Sequence, residues 1–341
     1  MFLLIERNDL ILGNQKNYLA IALTTRCNFN CFYCRRSGEC VYSEDEETLD
    51  FSHLKKIINV AYDLGIHTFR ITGGEPTMVK YLPDLILYIM KLGDNTRIRL
   101  NSNGYNLESV IDVIQTYKNR ISVLISVDSL SEHLNGNHFP KYLSKKIEHL
   151  AKELTRRAIK TRFNIVVTKA NICEIPRLID KSLSLGVDIK LLDLNIRDEY
   201  FGDKELLRGE DAVKYGESLY QPISYLKEYL QSMSTNYQDV FNVSNSNGIS
   251  MSGYLVGNQV VQVKDVSNGA MYAKICKKCP HFESCQDGVF SLFLAVGEVL
   301  HLSGCTNDKV KYNLKGLSDD EIKYAFKTLL EHFKELELIK K

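Results

Sequence analysis

The chain has 341 residues, with 43 basic and 42 acidic side chains, a net charge of +1, and 44% hydrophobic residues. That length serves one large domain or one domain with an appendage, and the apolar content supports a substantial core. The charge balance excludes the broad basic surface of a nucleic-acid-binding protein, and nucleic acid is not an expected partner. The start of the chain carries Glu6, Arg7 and Asp9 where a signal peptide needs an unbroken apolar region. No apolar stretch reaches the ~20 residues of a membrane span, since the run 289–302 is interrupted by Glu298 and His301. The nine cysteines are therefore expected to be reduced metal ligands in a cytoplasmic enzyme.

In chain order, strands are predicted at 18–23, 67–71, 97–100, 121–126, 161–167 and 187–194. Amphipathic helical patterns separate them at 51–64, 82–92, 107–117, 141–158 and 172–185. Strands alternating with helices imply a parallel sheet with helical crossovers. The strands read as continuous apolar runs, the pattern of a sheet covered on both faces. The fold class is α/β: a partial (β/α)6 barrel, since six units are too few to close an eight-fold one.

Residues 1–195 form this barrel, 196–248 a linker and helical extension, and 249–341 a small C-terminal module. The extension carries Tyr200, Tyr215, Tyr220 and Tyr225 and a turn-rich stretch at 242–247. The module is predicted to hold two β-hairpins, 249–255 with 259–264 and 290–295 with 299–302, the second turning at Gly297. An amphipathic helix over 318–341 completes it, opened by a capping-box pattern at Ser318-Asp319-Asp320-Glu321.

In barrels of this kind the chemistry sits at the carboxyl ends of the strands. Each distinctive motif falls at such an end. Cys27, Cys31 and Cys34 follow the first strand, Gly73-Gly74-Glu75-Pro76 the second, Asn101-Ser102-Asn103-Gly104 the third and Ser126-Val127-Asp128-Ser129 the fourth. The first motif spells C-x3-C-x2-C. Three thiolates are one short of the four that usually hold an iron–sulfur cluster, so one iron of a 4Fe-4S cluster is left open to chelate a small molecule. The alternative is structural zinc, which prefers paired C-x2-C knuckles and a closed fourth ligand. A second group, Cys276, Cys279, Cys285 and Cys305, is spaced C-x2-C-x5-C-x19-C and suits either a second cluster or a zinc knuckle. Cys173 reads as a buried small residue, and Cys40 as a thiol following the first cysteine loop.

Taken together, Thr24-Thr25-Arg26-Cys27-Asn28-Phe29-Asn30-Cys31-Phe32-Tyr33-Cys34, Arg70-Ile71-Thr72-Gly73-Gly74-Glu75-Pro76, Asn103-Gly104, Ser126-Val127-Asp128-Ser129 and Asn164-Ile165-Val166-Val167 resemble the radical S-adenosylmethionine superfamily, and within it the MoaA-type branch. The resemblance covers about residues 17–195, with a weaker match at the second cysteine group. It implies a 4Fe-4S cluster on Cys27, Cys31 and Cys34 that binds S-adenosylmethionine. One electron then cleaves that cofactor to a 5′-deoxyadenosyl radical, which abstracts a hydrogen atom from substrate. It also places Tyr33 near the adenine, Gly73, Gly74 and Glu75 at the methionine amine, and Ser102 and Ser126 against the cofactor. Asn103 and Asp128 either brace loops or touch it. The second cysteine group is implied to hold an auxiliary 4Fe-4S cluster, and its opening C-x2-C-x5-C is similar to the SPASM/twitch modules of peptide-modifying radical enzymes.

Arg70, Lys169 and Lys190 match cations of the family and suit a small anionic or nucleotide-like substrate. Three departures set the chain apart from the GTP cyclases of the branch. Ala20 stands where they carry an arginine, Pro280-His281-Phe282 where they carry arginines, and Ile339-Lys340-Lys341 where they end in a glycine-rich tail. The expected function is therefore radical chemistry on a small polar substrate. The alternatives are a peptide maturase and an iron–sulfur sensor or scaffold. An electron donor such as flavodoxin or ferredoxin is the implied partner.

Overall fold

The computed structural model describes residues 18–29, 31, 33–34, 47–132, 142–196, 199–201, 206–239, 251–280, 282–283, 285–286, 288–302 and 308–341. The barrel strands are β1 (Leu19–Ala22), β2 (Thr68–Thr72), β3 (Arg97–Ser102), β4 (Ile121–Ser126), β5 (Lys160–Val167) and β6 (Asp188–Asp193). Five helices cross between them: α1 (Phe51–Asp63), α2 (Leu82–Leu92), α3 (Ile111–Thr116), α4 (Lys145–Arg156) and α5 (Ile175–Ser184). Side chains define the starts of two of these. Asp50 accepts from the His53 N–H at 2.8 Å and Ser144 from the Ile147 N–H at 3.2 Å, each satisfying an end-of-helix donor. The patterns predicted as helix at 107–117 and 172–185 each open instead with a 3₁₀ turn, Leu107–Ser109 and Ile172–Glu174.

Beyond the barrel come β7 (Glu199–Phe201), β8 (Leu206–Arg208), α6 (Glu210–Leu219), α7 (Leu226–Met233), β9 (Asn236–Asp239), β10 (Met251–Val256), β11 (Gln259–Lys264), β12 (Ala270–Ala273), β13 (Leu292–Ala295), β14 (Val299–Leu302), β15 (Lys311–Asn313), α8 (Asp319–Glu331) and β16 (Leu336–Ile339). The capping box of Ser318 and Glu321 is formed. The helix predicted to run through 318–341 stops at Glu331, because the chain changes period. Leu336 and Leu338 alternate with charged or exposed neighbours, and the segment pairs as a strand with β12. Residues 242–247, Cys40 and Cys305 lie outside the described residues.

One twelve-stranded sheet carries most of the molecule, in the order β15-β14-β13-β1-β2-β3-β4-β5-β6-β11-β10-β9. All neighbours from β13 through β6 to β11 are parallel. The two predicted hairpins are present, but they do not form a sheet of their own. The pair β13–β14 hydrogen-bonds to β1, and β10–β11 to β6, so the C-terminal half extends both edges of the barrel.

β1 is a continuous apolar run, as expected, but β2, β3, β5 and β6 are not. They alternate, and the pleat sorts each set onto one face. Leu19, Ile21, Phe69, Ile71, Phe163 and Ile189 belong to the large core beneath the helices. The opposite, concave face carries Ala20, Arg70 and Arg99 in register across β1, β2 and β3, and Asn164, Lys190 and Gln262 across β5, β6 and β11.

Two joints shape the carboxyl end of this barrel. After β2, the Gly74 N–H donates to the Thr24 carbonyl and the Glu75 N–H to the Arg26 carbonyl, both at 2.7 Å. The two loops run so close that a Cβ on Gly73 would lie 2.8 Å from the Thr24 oxygen, and one on Gly74 only 2.0 Å from the Arg26 oxygen. At the end of β6, buried Asp193 accepts from the Ile223 N–H at 3.1 Å and the Val266 N–H at 2.9 Å. Burial, with nearby Asp265, pushes its carboxyl up to about 7, against those two N–H donors and Lys227. Asp265 itself pairs with Lys227 at 2.6 Å, and Tyr220 faces both acids.

Two outcomes follow. Gly74→Ala should destabilise the fold by roughly 2 kcal/mol or more, since backbone must move to admit the methyl; a melting temperature equal to that of the native protein would refute the joint. The folded protein holds the Asp193 proton that the unfolded chain releases near the ordinary carboxylate value. Its stabilising contribution is therefore full at low pH and is lost as pH rises through about 7. Asp193→Asn should be less stable than the native protein at pH 5, with the gap narrowing by pH 8 in paired thermal melts.

Candidate active site

The chain leaves β1 through Thr24 and Thr25, which are pinned by Glu47: the Thr24 hydroxyl donates to its carbonyl at 2.8 Å, and the Thr25 N–H does so at 2.9 Å. Cys27 and Cys34 are half-buried and Cys31 is buried. The Cys34 N–H donates to the Cys31 carbonyl at 3.0 Å, turning the loop back on itself. Two N–H groups aim at the Cys27 sulfur, from the Phe29 backbone at 3.4 Å and from Asn103 Nδ2 at 3.7 Å. Asn103 also donates to Asn28 Oδ1 at 2.9 Å, so it braces the loop and touches a cysteine at once. Among the described residues no three His, Cys, Asp or Glu side chains stand close enough to share a single metal ion. A four-iron cluster holds its thiolates at separate corners, and an all-thiol donor set with N–H groups directed at sulfur suits it.

Glu75 is 1% exposed, and both oxygens of its carboxylate accept hydrogen bonds. Oε1 accepts from the Thr77 N–H at 3.0 Å, the Thr77 hydroxyl at 2.6 Å and the Ser102 hydroxyl at 2.7 Å; Oε2 accepts from the Asn103 N–H at 2.6 Å. Ser102 in turn accepts from the Gly104 N–H at 2.9 Å. In this geometry Glu75 and Ser102 lock the loops after β2 and β3 together. Gly73 and Gly74 present the backbone between that lock and the cysteine loop. Ser126 is half-buried at the end of β4, in register with Asn164 of β5.

Tyr33, inside the cysteine loop, donates its hydroxyl to Asp128 Oδ2. Asp128 Oδ1 accepts from the Val166 N–H at 2.9 Å, and Asn171 Nδ2 bridges the carbonyls of Asp128 and Val166 at 2.8 Å each. This chain of bonds ties the cysteine loop to the ends of β4 and β5. Tyr33 also packs with Leu194, Val166, Tyr215 and Tyr220, which gives the mouth an aromatic rim.

Within the barrel, Arg70, Arg99, Arg162, Lys190 and Lys264 interact electrostatically. Arg162 is 8% exposed; its guanidinium donates to Asn164 Oδ1 and Gln262 Oε1, both at 3.1 Å. Burial, then repulsion from Arg99, lowers Arg162 to about 9, with Asp188 opposing. Burial lowers Arg99 to about 10, and burial followed by Arg162 and Lys264 lowers Lys190 well below the ordinary lysine value. Of the three cations expected from sequence, Arg70 and Lys190 share this face. Lys169 does not: it is exposed, and its ammonium lies 3.5 Å from the Glu217 carbonyl. Arg99, Arg162, Lys264 and Gln262 were not anticipated, although the alternation in Arg97-Ile98-Arg99-Leu100-Asn101 and Arg162-Phe163-Asn164 marks them. Ala20 and Ala22 form an apolar patch of the same face with Tyr18 and Phe293.

The second cysteine group lies between β12 and β13. Its described members, Cys276, Cys279 and Cys285, are free, half-buried and mutually interacting. Cys279 N–H donates to the Cys276 carbonyl at 2.9 Å, and Cys285 N–H to the Phe282 carbonyl at 3.3 Å. Three thiols on one tight loop again make a soft donor set that fits an iron–sulfur cluster. Cys173 is exposed, not buried as expected, because it sits on the outer side of the 3₁₀ turn before α5.

Residues 21–181 match the family model described as the Radical SAM superfamily. The chain is 32% identical over 185 residues to a GTP 3′,8-cyclase of Hydrogenovibrio crunogenus, covering 52% of this chain and 54% of that protein. A probable GTP 3′,8-cyclase of Sulfolobus acidocaldarius is 29% identical over 191 residues, with 54% and 58% covered. The chain thus spans little more than half the length of these curated relatives. Among solved structures, Streptococcus suis SuiB bound to S-adenosylmethionine aligns over 93% of this chain and 65% of its own, at 16% identity and a TM-score of 0.57. Hexahistidine-tagged anSMEcpe with bound AdoMet aligns over 93% and 82%, at 15% identity and a TM-score of 0.58. Both share the partial barrel fold. The cysteine loop at the end of β1, the glycine joint beside it and the matched segment agree: residues 21–181 carry a radical SAM domain, the family whose cofactors are a 4Fe-4S cluster and S-adenosylmethionine.

Proposed function

We propose that this protein is a radical SAM enzyme that abstracts a hydrogen atom from a small anionic substrate held against the concave face of its barrel. The observation that carries the substrate class is the set of five interacting cations, Arg70, Arg99, Arg162, Lys190 and Lys264. Bound to Cys27, Cys31 and Cys34, the cluster and S-adenosylmethionine supply one-electron cleavage and a 5′-deoxyadenosyl radical. The remaining work belongs to the protein. Asn103 and the Phe29 N–H stabilise the Cys27 sulfur. Tyr33 is held by Asp128 at the mouth. The Gly73-Gly74 backbone, locked by Glu75, fixes the loop on which the cofactor's amine is expected to rest.

The cations do the binding. Burial and mutual repulsion lower the proton affinity of Arg99, Arg162 and Lys190, and a planar guanidinium can grip carboxylate or phosphate oxygens in pairs. Lys169 stands outside this set and serves at the rim. An electron donor of the flavodoxin or ferredoxin kind supplies the reducing equivalent. A second reading, a peptide maturase, is supported by the C-x2-C-x5-C loop, whose three cysteines come together.

The test is anaerobic reconstitution followed by two measurements. Reduced enzyme should release 5′-deoxyadenosine from S-adenosylmethionine, and complete absence of cleavage by a fully loaded protein would sink the radical reading. Calorimetric binding of inorganic pyrophosphate should weaken about 30-fold or more in Arg162→Gln and in Lys190→Met, in line with the ~2–5 kcal/mol lost when one partner of a buried charge pair is removed. Equal affinity in native and variant proteins would discard the anionic substrate and favour the peptide.

A further inference from the structure

The second cysteine loop is closed from one side by the last strand. β16 pairs antiparallel with β12 from Ala270↔Ile339 to Ala273↔Leu336, which places the end of the described chain beside Ala270 and Gly269. The approach is close: a Cβ on Gly269, at φ 86°, would meet the Ile339 oxygen at 2.7 Å. Lys277 and Glu337 form an ion pair across the pairing. Ile339 packs against Ala270 and Tyr272, as do Cys276, Phe282 and Cys285.

This arrangement delivers Lys341 to the cysteines. Its ammonium donates to the Cys285 carbonyl at 3.2 Å and stands 3.7 Å from the Phe282 ring centre and 4.4 Å from that of Tyr272. The two rings meet edge-on at 5.3 Å, and the Tyr272 hydroxyl donates to the same Cys285 carbonyl at 2.5 Å. The ammonium interacts electrostatically with Cys276, Cys279 and Cys285 together, with Glu283 as the further acid beside it. Two aromatic faces and a carbonyl thus converge on one cation that also interacts electrostatically with three thiols, although the residue is exposed.

We propose that Lys341, delivered by β16 and caged by Tyr272 and Phe282, is a positioning cation for the second cysteine group that favours the reduced state of the cluster held there. The inference rests on the reading that Cys276, Cys279 and Cys285 hold an iron–sulfur cluster. Gaining one electron adds one negative charge to such a centre and makes or breaks no bond in the protein. A fixed positive charge nearby therefore stabilises the reduced form and raises the potential, net charge being one of the terms that set it.

The test uses the full chain with Cys27, Cys31 and Cys34 replaced by alanine, so that only the second group remains to give a signal. Iron is quantified, and the midpoint potential is measured by dithionite titration with electron paramagnetic resonance. Lys341→Met should retain iron and disfavour reduction about fivefold, roughly 40 mV at 59 mV per tenfold for one electron. Lys341→Arg should keep the native potential, and the Met shift should shrink at high salt because the ammonium is reachable by ions. A Lys341→Met potential equal to the native one, or a Lys341→Arg shift as large as that of Lys341→Met, overturns the role of the charge while leaving the cluster in place. If further replacement of Cys276, Cys279 and Cys285 by alanine removes no iron, the cluster reading fails and the inference with it.

Discussion

The mouth of this barrel depends on one buried carboxylate. Glu75 takes four hydrogen bonds from Thr77, Ser102 and the Asn103 backbone, and each bond to a charged acceptor contributes about 1.5–3 kcal/mol. Through them the loop after β2 is fused to the loop after β3. The same turn is stitched by Gly74 and Glu75 backbone N–H groups to the segment that leads into Cys27. Asn103, whose N–H is fixed by Glu75, then reaches back to the Cys27 sulfur. The described part of the cysteine loop is thereby held by a closed circuit and not by its own short span.

The second constraint is the sorting of charge by the pleat. One face of the strands is buried under helices and is apolar; the other carries five cations within interaction range of one another. Closed eight-stranded barrels fill their interior with branched apolar side chains. Here arginines occupy that space, and mutual repulsion together with desolvation lowers their proton affinity, with Asp188 opposing at Arg162. Such a face is unfavourable as a packed core and favourable as a binding surface. The barrel stays open because β13 and β11 extend its two edges, and β14 and β10 then continue outward as antiparallel neighbours.

Much of this was legible in the sequence, and the remainder was hidden for physical reasons. The order of barrel strands and helices follows from apolar periodicity, and the positions of Cys27, Gly73 and Asn103 at strand ends follow from that order. The second task of Glu75, bonding Thr77, Ser102 and the Asn103 N–H, was hidden, because the ammonium of a cofactor and the hydroxyls of Thr77 and Ser102 are equivalent donors until coordinates show which are near. Arg99 and Arg162 were overlooked because their strands were taken as apolar runs, when every second residue was polar. The separation of Lys169 from Lys190 turns on which way the chain leaves β5. The destination of the two C-terminal hairpins was beyond local pattern altogether: a parallel pairing such as β13 with β1 joins residues some 270 positions apart in sequence, and nothing in either segment names its partner.

The pairing of β13 with β1 also accounts for the departure at Ala20. Where the GTP cyclases of this branch carry an arginine, this chain sets a methyl group between Phe293 on one side and Arg70 on the other. The apolar patch of Tyr18, Ala20, Ala22 and Phe293 therefore borders the cations of β2 through β11 on a single concave surface. A molecule entering there meets an apolar wall along β1 and β13 and a cationic wall along β5, β6 and β11. Desolvation strengthens the charge contacts on the second wall, and burial of carbon rewards contact with the first. Under the proposed function that asymmetry orients the substrate: its anionic end lies towards Arg162 and Lys190, and its carbon skeleton lies beneath the cysteine loop at the end of β1, where hydrogen abstraction takes place.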